Sequence, residues 1–171
     1  MSSRERRIVV VRHAKAGPKD VPDDFGRALA DRGRADAPMT GRWLAQQGFR
    51  VDLARCSSAR RTRQTWELVL PHLPEPPPTV YEDRLYDADV DDLLAILAQT
   101  PDAVTCLVLV GHNPAVHELA KGLCGDGPEP LVSRVATKFP TGAAAVLTMT
   151  GEWADVARGG ARLVAFHAPR D

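Results

Sequence analysis

Ile8 to Val11 are four β-branched residues in succession, an unbroken apolar run that predicts a strand covered on both faces. "CLVLV" at 106–110 predicts a second strand of the same kind. Between them the period changes. From about Asp31 to Gln47 the apolar positions Ala35, Met39, Trp43 and Leu44 fall near helical spacing, with Gly48 as a stop. Pro38 lies inside that pattern and implies a kink or a later start. Leu53 to Cys56 predicts a short strand running into Ser57 and Ser58, which can cap a helix to about Leu70. Pro71 and "PEPPP" at 74–78 end that helix. Thr79 to Tyr81 predicts a further short strand, and Asp89 with Asp92 three residues on predicts a capped helix through Ala98. Asn113 and Pro114 open another helix, closed by Gly125. Two late strands, 143–149 and 162–166, are joined by a glycine-rich connection around 151–160.

Strand–helix alternation followed by later strands predicts one three-layer α/β/α domain with a mostly parallel central sheet over 1–171, residues 1–6 being a flexible N-terminus. The chain of 171 residues is long enough for one sizeable core without disulfides or metals. Its 22 basic and 22 acidic residues balance, which argues against a general nucleic-acid binder. Cys56, Cys106 and Cys124 stand far apart and read as reduced, mostly buried thiols of a cytoplasmic protein. The charged start "MSSRERR" precedes only four apolar residues, so neither a signal peptide nor a membrane span is expected. No carboxylate and histidine cluster has metal-ligand spacing, and no cofactor is expected. Oligomeric state is not legible.

Chemistry concentrates where strands turn into helices, the place where sheets of this kind bind ligands. Arg12, His13 and Lys15 follow the first strand, "SSARRTRQT" at 57–65 follows the second, and His112 follows the strand at 106–110. If those strands are parallel neighbours, two histidines, at least two arginines and helix N-termini open on one edge. A phosphoryl group carries about two negative charges, and arginine forks hold its oxygens in pairs. A neutral imidazole can attack phosphorus and split one displacement into two.

These motifs resemble the histidine phosphatase superfamily. "VVVRHAKA" is similar to its Arg-His-Gly signature, with Ala14 in the glycine position and Lys15 where other branches often carry an acidic or polar residue. "SSARRTRQT" resembles its Ser, Arg and Gln-Thr motif, and "GHNP" at 111–114 the segment bearing its second histidine. "RALADRG" at 27–33 and "KFPTGAA" at 138–144 resemble the small SixA-type phosphohistidine phosphatases. The resemblance implies a phosphoglycerate-mutase-like architecture, His13 as nucleophile, and Arg12, Arg61 and His112 around the phosphate. Ser57, Asn113 and Lys15 are further candidates for binding substrate. For a general acid, "EDRLYDAD" at 82–89 offers Asp87 or Glu82, although an imidazole leaving a P–N bond needs less acid assistance than an alkoxide. Only about 25 residues lie between Tyr81 and Cys106, too few for a long lid, so an open site is expected.

Phosphohistidine in a protein is therefore the leading substrate. A phosphomonoesterase for small metabolites or nucleotides and a non-catalytic phosphate-binding module are the alternatives. His72, His117 and His167, and the three tryptophans Trp43, Trp66 and Trp153, are expected to be structural.

Overall fold

The structure, a computed structural model, describes residues 4–170. Seven strands form one sheet: β1 (Glu5–Arg12), β2 (Leu53–Ser57), β3 (Thr79–Glu82), β4 (Cys106–Gly111), β5 (Cys124–Asp126), β6 (Ala144–Thr150) and β7 (Ala161–His167). Their spatial order is β3-β2-β4-β1-β6-β7-β5. Pairs β2·β3, β2·β4, β1·β4 and β5·β7 are parallel; β1·β6 and β6·β7 are antiparallel.

The β-branched run explains the layers. Successive side chains of a strand point to opposite faces, so Ile8 and Val10 join one core while Val9 and Val11 join the other. The first core packs against α3 (Val90–Ala98), α4 (Ala115–Leu123) and α5 (Glu129–Thr137) through Leu93, Leu97, Val116, Leu119 and Val135. The second packs against α1 (Asp31–Gln46) and α2 (Arg60–Val69) through Leu44, Trp66 and Val69. Helices on both faces of a mostly parallel sheet are the three-layer α/β/α arrangement expected from the sequence. Among the described residues, no helix is long and apolar enough to cross a membrane.

Several boundaries differ from those the sequence predicts. Glu5 and Arg6 are already in β1, so residues 1–6 are not simply a flexible leader; 1–3 lie outside the described residues. Arg6 is fully buried and uses all of its nitrogens. Nε donates to the Gly151 carbonyl, Nη1 to the carbonyls of Asp102 and Val104, and Nη2 to the carboxylates of Asp102 and Glu152.

Helix α1 buries Gly33, Asp36, Ala37, Thr40, Gly41 and Leu44, while Ala35 and Met39 face solvent. The buried stripe is made of small residues because the neighbours are backbone. A Cβ on Gly41 would come within 2.9 Å of the Val69 carbonyl oxygen, and one on Gly33 within 2.1 Å of that of Lys15. Of the apolar positions, Leu44 is buried and Trp43 half-buried as hydropathy expects, whereas Ala35 and Met39 are not.

Neither Ser57 nor Ser58 caps α2; Ala59 occupies that position without a side-chain cap. Asp89 and Asp92 do form the reciprocal capping box of α3, at 2.9 and 3.0 Å. Gly125 does not close α4 as expected. It belongs to β5, where a Cβ would meet the Gly159 carbonyl oxygen at 2.1 Å. Helix α5, which the sequence pattern did not predict, is pinned by His117, whose Nε2 lies 2.6 Å from the Val135 carbonyl oxygen.

Candidate active site

Strand register brings the two histidines together. Arg12 of β1 is level with Gly111 of β4, so His13 and His112 are the next residues of adjacent parallel strands. Their ring centroids lie 5.3 Å apart. On the other side of β4, Ser57 ends β2 and its Oγ is 2.8 Å from Nε2 of His112. Arg61, one residue into α2, completes the ring of groups. A cavity of about 570 Å³ opens there, lined by Arg12, His13, Lys15, Arg61, His112 and Asn113 among others.

His13 is held from both sides. Its amide donates to Gly111 and its carbonyl accepts from Gly142, while Nδ1 lies 2.7 Å from the Ala14 carbonyl oxygen. A carbonyl only accepts, so Nδ1 carries the hydrogen and the neutral ring keeps its lone pair on Nε2. Ala14 has negative φ, so replacing the signature glycine introduces no left-handed strain. Its amide donates to Thr65 Oγ1 at 2.9 Å, and that hydroxyl in turn donates to the Arg61 carbonyl at 2.7 Å. Gln64 accepts from the Leu29 amide at 2.8 Å. Thr65 thus ties α2 to the segment that carries His13 and Gln64 ties it to the segment leading into α1, which gives the Gln-Thr motif a structural reason. Gly33 serves the same segment by letting α1 approach the backbone of Lys15.

The "KFPTGAA" stretch forms the back wall. The Phe139 carbonyl accepts from Arg12 Nη1 at 3.2 Å and from Asn113 Nδ2 at 2.9 Å. Asn113 is therefore a wall residue and not a helix cap; α4 begins at Ala115 with Pro114 as its uncapped start. Ser57 also departs from expectation. It is fully buried behind His112, touches that histidine's Nε2 and takes no part in the cavity lining. Lys15 lies exposed at the rim. Asp87 is exposed in an adjoining cleft of about 260 Å³ that also touches His112 and Asn113. Glu82 is committed to Arg55 at 2.9 Å and Arg84 at 2.7 Å.

Two groups at the site escape sequence reasoning. Asp24, in the loop after β1, gives its carbonyl to Arg61 Nη1 at 2.8 Å and its carboxylate to Nη2 at 3.2 Å. The same carboxylate accepts from Arg27 and from the Tyr86 hydroxyl. Those bonds, that from Tyr86 foremost, pull the Asp24 carboxyl down to about 2, so it stays ionised at neutral pH. The Tyr86 ring packs edge-on against His112, with centroids 5.5 Å apart. No motif or spacing in the sequence pointed to either residue.

Several polar atoms at this site are buried without a hydrogen-bond partner: Nε of Arg12, Nε of Arg61, Nδ1 of His112 and Oδ1 of Asn113. Buried donors are normally satisfied, and an oxyanion is the group that would satisfy the two arginine nitrogens. Burial pushes His13 down to about 3 and His112 to about 4, with the nearby arginines adding to the effect. Both histidines are therefore neutral when the protein is folded at neutral pH.

Unfolded histidine titrates near 6.5, so as pH falls from about 6.5 toward 4 the unfolded chain takes up protons that the folded one refuses. Stability is expected to fall over that window by roughly 1–2 kcal/mol per histidine between pH 7 and 5. Urea unfolding at a series of pH values checks this: His112→Ala should flatten the slope, and an unchanged slope would show that His112 is not held neutral.

Among the described residues, no group of three or more His, Cys, Asp or Glu side chains could hold a metal ion. Burial raises the thiol of Cys106 to about 12 and that of Cys56 further, so neither is a nucleophile at neutral pH.

The sequence profile of the histidine phosphatase superfamily (branch 1) matches residues 6–129. The chain belongs to that superfamily. An uncharacterised protein of Mycobacterium tuberculosis is 41% identical over 162 residues, covering 94% of this chain and all of the relative. Two solved structures, both provisionally assigned as phosphohistidine phosphatase SixA, share the whole fold. The one from Nakamurella multipartitia is 32% identical with a TM-score of 0.83, covering 98% of each chain. The one from Agrobacterium tumefaciens is 30% identical with a TM-score of 0.80, covering 96% of this chain and 98% of the other.

Proposed function

We propose that the protein is a phosphatase working through a covalent phosphohistidine at His13, with phosphohistidine in a protein as its substrate. The observation that carries the reading is the convergence on one cavity of the Nε2 lone pair of His13 with the buried, unpartnered N–H groups of Arg12 and Arg61. Nε2 attacks phosphorus; as the P–Nε2 bond forms, the P–N bond to the substrate ring, protonated on its other nitrogen, breaks, and neutral imidazole leaves with the electron pair on the nitrogen that held the phosphoryl group. Water then attacks the phosphoenzyme, releasing inorganic phosphate and returning Nε2 its lone pair. Arg12, Arg61 and His112 bind the oxygens over which charge spreads in the transition state. With the Ser57 hydroxyl donating to Nε2, neutral His112 keeps its hydrogen on Nδ1, the atom without a protein partner.

Leaving-group chemistry favours a P–N substrate. Among the described residues no carboxylate lines the cavity. Asp24 lies behind Arg61 as an ionised acceptor, which makes it a poor acid. Asp87 stands outside, in the adjoining cleft. An alkoxide would leave unassisted, whereas imidazole is far less basic. The open mouth also admits a chain segment. The SixA assignments of the two solved relatives support the same branch.

The comparison that tests this is kcat/KM on a phosphohistidine peptide against an alkyl phosphomonoester of similar charge, with and without EDTA. The peptide is expected to win by at least about 100-fold, since one step of general acid catalysis contributes roughly 10²–10⁴-fold, and EDTA should change neither rate. Equal rates, or a faster ester, would instead favour the small-molecule phosphomonoesterase reading.

A further inference from the structure

The mouth of the cavity holds more positive charge than one phosphoryl group uses. Beyond Arg12, Arg61 and the histidines, its lining carries Lys15, Lys19 and Arg27. Arg27 is already occupied. Its Nε and Nη2 hold the Asp24 carboxylate at 3.1 and 2.9 Å, and its Nη1 donates to the Gly17 carbonyl at 3.1 Å. The side chains of Lys15 and Lys19 make no hydrogen bond or ion pair among the described residues.

A phosphoryl dianion of about two charges is matched by the two arginines, and the lysines remain unmatched. They are not the overflow of a basic surface, because the chain as a whole balances 22 acidic against 22 basic residues. Two cations at one rim add to its positive potential, which an arriving anion neutralises. Across His112 the sign reverses. Asp87, Asp89 and Glu118 wall the adjoining cleft, so an anion is repelled from that side and directed to the lysines.

We infer that Lys15 and Lys19 form a subsite for a second anionic group on the substrate, in a phosphoprotein the carboxylate of an Asp or Glu beside the phosphohistidine. The identity of that anion rests on the phosphohistidine reading; the subsite itself requires only a phosphoryl group at His13.

Two matched substrate pairs separate these dependences. The first is a pair of phosphohistidine peptides that differ only in an Asp or an Asn next to the phosphohistidine. The second is a pair of aryl phosphates bearing a ring carboxylate or a carboxamide. The readout is the ratio of kcat/KM, charged over neutral, in the wild type and in the Lys15→Ala/Lys19→Ala double variant.

The wild-type ratio is expected to be roughly fivefold at low ionic strength, as for exposed charge pairs. It should decay toward one in 1 M salt, where the screening length is about 3 Å, and toward one in the double variant. The Lys15→Arg/Lys19→Arg variant should retain it. A wild-type ratio of one in both pairs, or a ratio that survives the double alanine substitution, overturns the subsite. Peptides that are not hydrolysed while the aryl pair shows a lysine-dependent ratio would remove the phosphohistidine reading and leave the subsite standing.

Discussion

Replacing His13 with alanine is expected to lower kcat by at least about 10³-fold, because removing a covalent nucleophile forces a single direct displacement by water. Substrate binding should survive, since Arg12, Arg61 and His112 are held by groups other than the His13 ring. Arg12 is anchored on the Phe139 carbonyl, Arg61 on Asp24 and His112 on Ser57. A weak, phosphate-competitive affinity close to that of wild type should accompany the lost turnover. His13→Asn, which keeps a polar side chain without the basic Nε2, should be as inactive as His13→Ala. Turnover within about tenfold of wild type in either variant would mean that water attacks phosphorus directly and that His13 only binds.

The largest expected loss of stability lies at the opposite end of the same strand. Arg6 is fully buried, and its guanidinium satisfies three carbonyls and two carboxylates that close the N-terminal end of the sheet. Its guanidinium also lies 5.6 Å from the centroid of the buried Trp153 ring. Arg6→Ala leaves those carbonyls unpaired around a hole, at a cost of about 3 kcal/mol. For a chain of this size that corresponds to a drop in Tm of roughly 6–12 °C. Arg6→Lys should recover only part of it, because one ammonium cannot reproduce a planar fork. A Tm within about 2 °C of wild type for Arg6→Ala would show that the network contributes little net stability.

What the sequence disclosed, and what it hid, divides along physical lines. The buried strands β1 and β4 were legible because runs of four or five apolar residues, too short for a buried helix, suit a strand covered on both faces. With them came the positions of His13 and His112, since whatever follows a central parallel strand is delivered to the sheet edge. The capping box of α3 was legible because it is purely local.

The missed features depend on contacts between distant segments. The buried face of α1 is set by backbone pressing on Gly33 and Gly41, which hydropathy cannot register. Arg6 looked like part of a charged leader, yet five acceptors from residues 96 to 146 positions away make its burial possible. Asp24 and Tyr86 meet over Arg61 across 62 positions of sequence, with no motif linking them. Ser57 lies beside His112 but outside the cavity lining, because spacing gives proximity and not direction.

The central claim, a phosphoryl group carried on His13, is tested most directly by mixing enzyme with a radiolabelled phosphorylated substrate and quenching within one turnover. Wild type should retain label that survives alkali, is lost in acid and maps to the peptide containing His13, while His13→Ala retains none. Label that maps elsewhere, or that persists in His13→Ala, would contradict the account.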